Sequence, residues 1–242
     1  MNPKLSIIVV TLNEESVIKD TITSLKSLTI PHEIIVSDGK STDKTAEIAK
    51  QYADKVVVYS GIPRQTIAMG RNDGAAAATG EFLVFLDADS RILHTDEFFN
   101  EALSRFENKP NLVAITARLR VFPHLETFGD WLVFGILSAI IRFQNNVLHK
   151  GESTGEFQMI RSTAFHKLHG FNANLVTRED ADMFYRLSKI GRTMLDPKLT
   201  VFHTGRRAHK IGWPKLLWTW FINVIWFALF KKAKSNEWTV IR

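Results

Sequence analysis

Short apolar runs and helically spaced apolar positions take turns along the first ninety residues. LSIIVV (5–10) is a continuous run of strand length, and Val17, Ile18, Ile22, Leu25 and Leu28 then recur at helical spacing. EIIVSD closes a second run at Asp38, and Ser41-Thr42-Asp43 supply side chains able to cap the helix behind it. VVVY (56–59) predicts a third strand, alanine-rich RNDGAAAATG a helix, and EFLVFLDADS a fourth strand that runs into Asp87-Ala88-Asp89. Such alternation predicts a mixed, mainly parallel α/β sheet flanked by helices. Ligands of these sheets bind beyond the carboxyl ends of the strands, where Asp38 and Asp87 fall.

The second half is less regular. ALSRFENKPNLVAITARLRVFP predicts a helix and a strand, and WLVFGILSAIIRF (131–143) a core or interface helix with Gly135, Ser138 and Arg142 along one side. From 154 the pattern gives a strand, a short helix, a Gly-Phe turn and a helix opening near Glu179. A strand or two then ends at His203. LLWTWFINVIWFALF (216–230) is apolar nearly all round, with Lys215, Thr219 and Asn223 as a thin polar seam. At about 1.5 Å per residue it spans ~23 Å, short of the roughly 30 Å hydrocarbon core. Trp213, Trp218, Trp220, Trp226 and the flanking lysines favour a seat at the membrane interface, against packing on the domain or on a second subunit. The expected division is therefore 1–210, a globular domain, and 211–242, a membrane-associating helical segment.

Composition changes the picture in two places. The 242 residues contain no cysteine, which excludes disulfides and thiol catalysis. The net charge of +6 would suit nucleic acid, but much of the excess (Arg206, Arg207, Lys210, Lys215, Lys231, Lys232, Lys234) brackets the aromatic C-terminal stretch. That placement suits an anionic bilayer surface and argues against nucleic acid. The N-terminal apolar run is too short for a signal-peptide core.

The candidate chemistry starts at Asp87 and Asp89. At i and i+2 of an extended chain they point the same way. At about 4 Å their charges would repel by roughly 1 kcal/mol in water and about 4 at an effective dielectric of ~20. A divalent cation reverses that sign, and hard oxygen donors suit Mg²⁺ or Mn²⁺.

SIIVVTLNEE, EIIVSDGKSTDKT, GRNDGAAAATGEFLVFLDADS and TREDADMFYRL, in that order and spacing, resemble the family 2 glycosyltransferases, enzymes of the GT-A fold, over residues 4 to 205. The resemblance implies a nucleotide-sugar site built from Thr11, Leu12, Asn13, Glu15 and Asp38, the last matching a base-contacting acid. Lys40 stands where the family often has glycine. Arg71 resembles an arginine near the diphosphate, with a structural ion pair as the alternative. Asp87 and Ala88 fall on the donor, Asp89 matches the direct metal ligand, His203 a group near the metal or diphosphate, and Arg206 and Arg207 the leaving group's charge. Gly155 and Glu156 fall at the acceptor loop. Glu179-Asp180 matches the acceptor-side motif, Asp180 as general base; the alternative is helix-terminal acids complementing the dipole.

The implied reaction is an inverting transfer from a nucleotide-diphosphate sugar, UDP over GDP, to a hydroxyl of a saccharide or lipid-linked saccharide, at the inner face of the cell membrane. A polyprenyl-phosphate acceptor, or a non-catalytic binding protein on the same scaffold, are the alternatives. The first turn, TLNEES, lacks both the glycines of a dinucleotide site and the basic loop of a nucleotidyltransferase.

Overall fold

The computed structural model describes residues 4–62 and 64–230. In it β1 (Leu5–Thr11), β2 (His32–Asp38), β3 (Lys55–Val58) and β4 (Phe82–Asp87) alternate with α1 (Ile18–Leu25), α2 (Thr45–Tyr52) and α3 (Ile67–Ala76). The strands pair in parallel in the order β3-β2-β1-β4, with Ile7 opposite both Ile34 and Val84. All four therefore end along one edge. The chain lays β2 and β3 to one side of β1 and β4 to the other, so β1 marks the switch point where such sheets open a crevice.

These strands are apolar throughout because helices cover both faces. Ile7, Val9, Val84 and Leu86 pack with Ile22 of α1 and Phe99 of α4 (Thr95–Asn108). Ile8, Leu83 and Phe85, one residue out of phase, pack on the other face with Phe165 of α6 (Ser162–Lys167) and Phe184 of α7 (Glu179–Leu187). At the amino end of the sheet, Glu33 accepts hydrogen bonds from Ser6 Oγ at 2.6 Å, Thr79 N at 2.7 Å and Thr79 Oγ1 at 2.8 Å, and pairs with Lys55.

The second half extends the sheet to eight strands, β3-β2-β1-β4-β7-β6-β8-β5, with β5 (Ser90–Arg91), β6 (Leu112–Val121), β7 (Phe157–Arg161) and β8 (Arg192–His203). β7 runs antiparallel to β4 and β6, and β8 parallel to β6. The "strand or two" before His203 is one strand with a register slip: Ala117 faces Asp196, and Arg118 faces Thr200.

Across β6 and β8 lies α5 (Phe128–Asn146), opened by a capping box between Thr127 and Asp130. Of its three expected side-face residues Ser138 is buried, whereas Gly135 and Arg142 are exposed. α8 (Arg206–Ile211) and α9 (Trp213–Phe230) follow. Trp213 and Trp220 pack with Leu119, Val121 and Phe134, and Leu216 is buried, so the expected C-terminal segment begins as a packed part of the domain. Among the described residues no helix is long and apolar enough to cross a membrane. Lys231, Lys232 and Lys234, and the side chain of Asn223, lie outside the described part.

Candidate functional site

The loops leaving β1 and β2 hold one another. Thr11 Oγ1 donates to Asp38 Oδ1 at 3.2 Å, and Ser41 donates to the same carboxylate through N at 2.9 Å and Oγ at 2.5 Å. Asp38 is fully buried and lines neither cavity described below. The carboxylate expected against a base is thus, geometrically, the clasp of the β2–α2 loop. Asn13 and Lys40 take left-handed conformations, φ 54° and 70°. A Cβ there costs about 1 kcal/mol. Asn13 Oδ1 accepts from Thr42 N at 2.6 Å, and exposed Glu15 accepts from Lys44 N at 3.0 Å, so Glu15 supports the start of α2. Asp43 supplies the expected cap, accepting from Thr45 N at 2.9 Å. Between these loops and β3 lies a cavity of about 740 Å³ lined by Leu12, Asn13, Gly39, Lys40, Tyr59, Arg64 and Lys210.

A second cavity, about 830 Å³, shares Leu12, Gly39 and Arg64 with the first. It brings together Thr11, Arg71, Asp87, Ala88, Asp89, Gly155, Glu156, Glu179, Asp180, His203, Arg206 and Arg207 from segments scattered over the chain. The Asp-x-Asp pair does not continue as one strand. Asp87 is the last residue of β4 and Asp89 lies in the turn before β5. Each is held from a different side: Asp87 by Arg71 at 3.4 Å, Asp89 by Thr204 Oγ1 at 3.0 Å and Arg206 Nε at 3.1 Å.

Arg71 is buried at the centre. It donates to Glu179 Oε1 at 3.0 Å and to the Gly155 carbonyl at 2.8 Å, and its guanidinium lies over the Phe171 ring. These contacts make it a brace joining α3, β4, α7 and the 155 loop. Gly155 is required by that approach, since a Cβ there would meet Arg71 Nη2 at 2.7 Å. Glu179 is buried and Asp180 half-buried, both in the first turn of α7. They are therefore helix-terminal acids and cavity-lining acids at once. Arg178, which leads into them at φ 63°, pairs with Glu152 at 3.3 Å. Arg206 binds Glu14 through two bonds, 3.0 and 2.7 Å, tying α8 to the β1 loop.

Carboxylates crowd this cavity, and burial raises their proton affinity. Burial pushes Asp87 up to about 7, with the Glu156 and Asp89 charges adding and Arg71 opposing. Burial and the Asp180 charge push Glu179 up to about 8 against Arg71. Asp180 and Glu156 are raised by the same burial. His203 is lowered by burial, which keeps the ring neutral. Burial and the Arg206 charge pull Arg207 down.

The donor set suits a hard divalent cation. Asp87 and Asp89 offer carboxylate oxygens at the cavity wall, and Glu156 Oε2 is a buried oxygen without a hydrogen-bond partner. No three His, Asp or Glu side chains among the described residues converge to hold an ion by themselves. A cation held by Asp87 and Asp89 would need further ligands from outside the protein, such as phosphate oxygens and water. His203 accepts Gly205 N–H at Nδ1, 3.2 Å, so its neutral ring carries the proton on Nε2, which is buried and unpartnered. To ligate a cation through Nε2, the ring would have to give up that contact.

Glu14, in the TLNEE loop the resemblance places at the nucleotide, instead orients Arg206, and Lys210, of the basic cluster read as facing a bilayer, lines the smaller cavity. Thr204 on Asp89, Glu152 on Arg178, and Arg64 and Tyr59 in the smaller cavity carry no local signal and are brought in by folding alone.

The profile of the family described as Glycosyl transferase family 2 matches residues 6–169. The chain is 30% identical over 200 residues to beta-monoglucosyldiacylglycerol synthase of Nostoc sp., an alignment covering 76% of this chain and 41% of that protein. It spans between 17% and 65% of the length of the curated relatives it matches, and about half or less of most of them. Among solved structures, the mannosyltransferase PcManGT from Pyrobaculum calidifontis, in complex with GDP-Man and Mn²⁺, superposes with a TM-score of 0.66 at 19% identity, over 84% of this chain and 57% of that one. TarS 1–349 from S. aureus, in complex with UDP-GlcNAc, superposes at 0.63 and 18%, over 82% and 58%. The shared fold is GT-A.

Proposed function

The chain belongs to glycosyl transferase family 2, and on that premise we propose an inverting transferase that moves a sugar from a nucleotide-diphosphate sugar to an acceptor hydroxyl. The observation that carries this is the meeting in one cavity of Asp87-Ala88-Asp89 and Glu179-Asp180, about ninety residues apart in sequence, beyond the ends of parallel strands. The nucleoside occupies the smaller cavity, against Leu12 and Asn13, and the diphosphate reaches the larger one through the shared Leu12, Gly39 and Arg64. UDP is preferred over GDP. Asp89 and Asp87 would hold Mg²⁺ or Mn²⁺, and such an ion, when bound, offsets charge on a departing diphosphate.

Asp180 is the base. Burial raises its proton affinity, which suits a group that must take a proton from a poorly acidic hydroxyl. As that proton moves to the carboxylate, the acceptor oxygen attacks the anomeric carbon and the bond to the diphosphate oxygen breaks on the opposite face, inverting the centre. Glu179 and Arg71 position Asp180 and Asp87 and do not react. Arg206 and Arg207, which line the cavity beside His203, supply positive charge for the growing anionic charge of the diphosphate. Gly155 and Glu156 form the acceptor-side wall.

A phosphate acceptor would need no base, so the acidic pair favours a hydroxyl of a saccharide or lipid-linked saccharide over a polyprenyl phosphate. The relative named for monoglucosyldiacylglycerol supports a lipid-bearing acceptor. Residues 211–242 would hold the enzyme at the inner face of the cell membrane. Screening sugar nucleotides with Mn²⁺ for a rise in Tm, followed by product detection, tests the reading, because only a bound donor shifts the unfolding equilibrium. Donor binding without any transfer or slow hydrolysis would instead favour a non-catalytic nucleotide-sugar-binding protein.

A further inference from the structure

Helix α5 is apolar on both faces. Asp130, Ser138 and Asn145 are buried beside Phe134 and Ile141, while Phe128, Trp131, Ile136, Ile140 and Phe143 stand outward, each between 49% and 75% exposed. Its rotation is fixed by the buried polar groups together with Phe134 and Ile141. Asp130 accepts from Thr127 N at 2.8 Å, His209 Nε2 at 2.7 Å and Trp213 Nε1 at 3.0 Å. Asn145 donates to the Glu152 carbonyl at 2.6 Å and accepts from Thr193 Oγ1 at 2.6 Å. Turning the helix to hide its apolar face would break all of these bonds, so that face is committed to the outside. Trp218 and Phe221 on α9 are also exposed, at 64% and 55%. A monomer in water rarely shows so large an apolar surface without a partner.

Two observations identify the partner. First, the catalytic cavity continues from its carboxylates into an apolar throat between α5 and α9, lined by Leu137, Ile140, Ile141, Leu216 and Trp220. Ile140 belongs both to the throat and to the outer face, so the two surfaces are continuous. A second copy of the chain seated there would cover the mouth of the cavity. Second, Arg142, Lys150, Lys210 and Lys215 are all exposed on or beside these helices, complementing anionic headgroups. The geometry points to a bilayer: the outer face of α5, joined by the exposed aromatics of α9, seats in the interface of an anionic membrane, and the throat takes the hydrocarbon chain of a lipid-linked acceptor. The throat half rests on the transferase reading; the membrane face does not.

The test uses the full chain and vesicles of phosphatidylcholine with about one-third phosphatidylglycerol. The double variant Ile136→Glu/Phe143→Glu, whose positions lie outside the cavity, should lower the vesicle-bound to free ratio by tenfold or more, on the order expected for losing two buried apolar side chains. Its Tm and its hydrolysis of a sugar nucleotide should be unchanged. Vesicle binding equal to the parent's overturns the membrane face, as does a parent dimer that the variant splits without change in vesicle binding. For the throat, a bromoalkanol should quench tryptophan fluorescence saturably, and Trp220→Phe should remove most of the saturable part; equal quenching in that variant overturns the assignment. Sugar-nucleotide hydrolysis absent from parent and variant alike, with vesicle binding still sensitive to the substitutions, would sink the transferase reading and leave the membrane face standing.

Discussion

The two ends of the sheet both bury carboxylates, with opposite outcomes. At the amino end, burial works against the charge of Glu33, but bonds from Lys55, Ser6 and Thr79 outweigh it and bring its pKa down to about 2. At the carboxyl end Asp87 and Glu179 rise to about 7 and about 8, because burial and neighbouring acids outweigh Arg71. A filled hydrogen-bond shell makes a buried acid a structural fastener. A crowd of under-compensated acids makes a place that gains from a cation or from taking a proton.

The largest test of that contrast is at the carboxyl end. Asp89→Asn should reduce sugar transfer by about 10²–10³-fold with the Tm in the absence of ligand little changed. Asp180→Asn should slow transfer by about 10²–10⁴-fold while a donor still raises the Tm, separating base from binding. At the other end, Glu33→Gln should cost about 1–3 kcal/mol in denaturant unfolding at pH 7 and leave the turnover of the folded enzyme alone. The pH dependence sharpens the comparison. Glu33 is depressed from 4.5 to about 2, so its contribution is complete above about pH 4.5 and lost as pH falls toward 2. Parent Tm should fall through that window, and the fall should be shallower in Glu33→Gln.

Asp87 has the reverse sign. Its pKa is raised from 3.8 to about 7, so the folded state loses stability as pH rises through that interval. Asp87→Asn, neutral at every pH, should therefore gain Tm relative to the parent at pH 8 more than at pH 5. This is the smallest effect, since Arg71 loses one partner in exchange.

Much of the fold was legible because its signals are local. Apolar runs at 5–10 and 82–86, helical spacing after Val17, and turn chemistry at Ser41-Thr42-Asp43 depend on a few neighbouring residues, and the strands and helices stand where those patterns put them. The acids at strand and helix ends were legible for the same reason. Their partners were not: Arg71 with Gly155, Asp89 with Thr204, and Glu14 with Arg206 are separated by 84, 115 and 192 positions. Asp38 shows the same divide: the acid is legible at the end of its strand, and the Ser41 and Thr11 contacts that hold its carboxylate appear only once the loops are packed.

Helix α5 marks the same divide. Its sequence determined that a long apolar helix would form there, because helical spacing and propensity are properties of adjacent residues. Which face turns inward was decided by the tertiary structure, through Asp130 meeting His209 and Trp213 and Asn145 meeting Thr193. The physical reason is that a buried polar group costs more without its partner than an apolar side chain costs in water, and those partners lie 48 to 83 residues further along the chain.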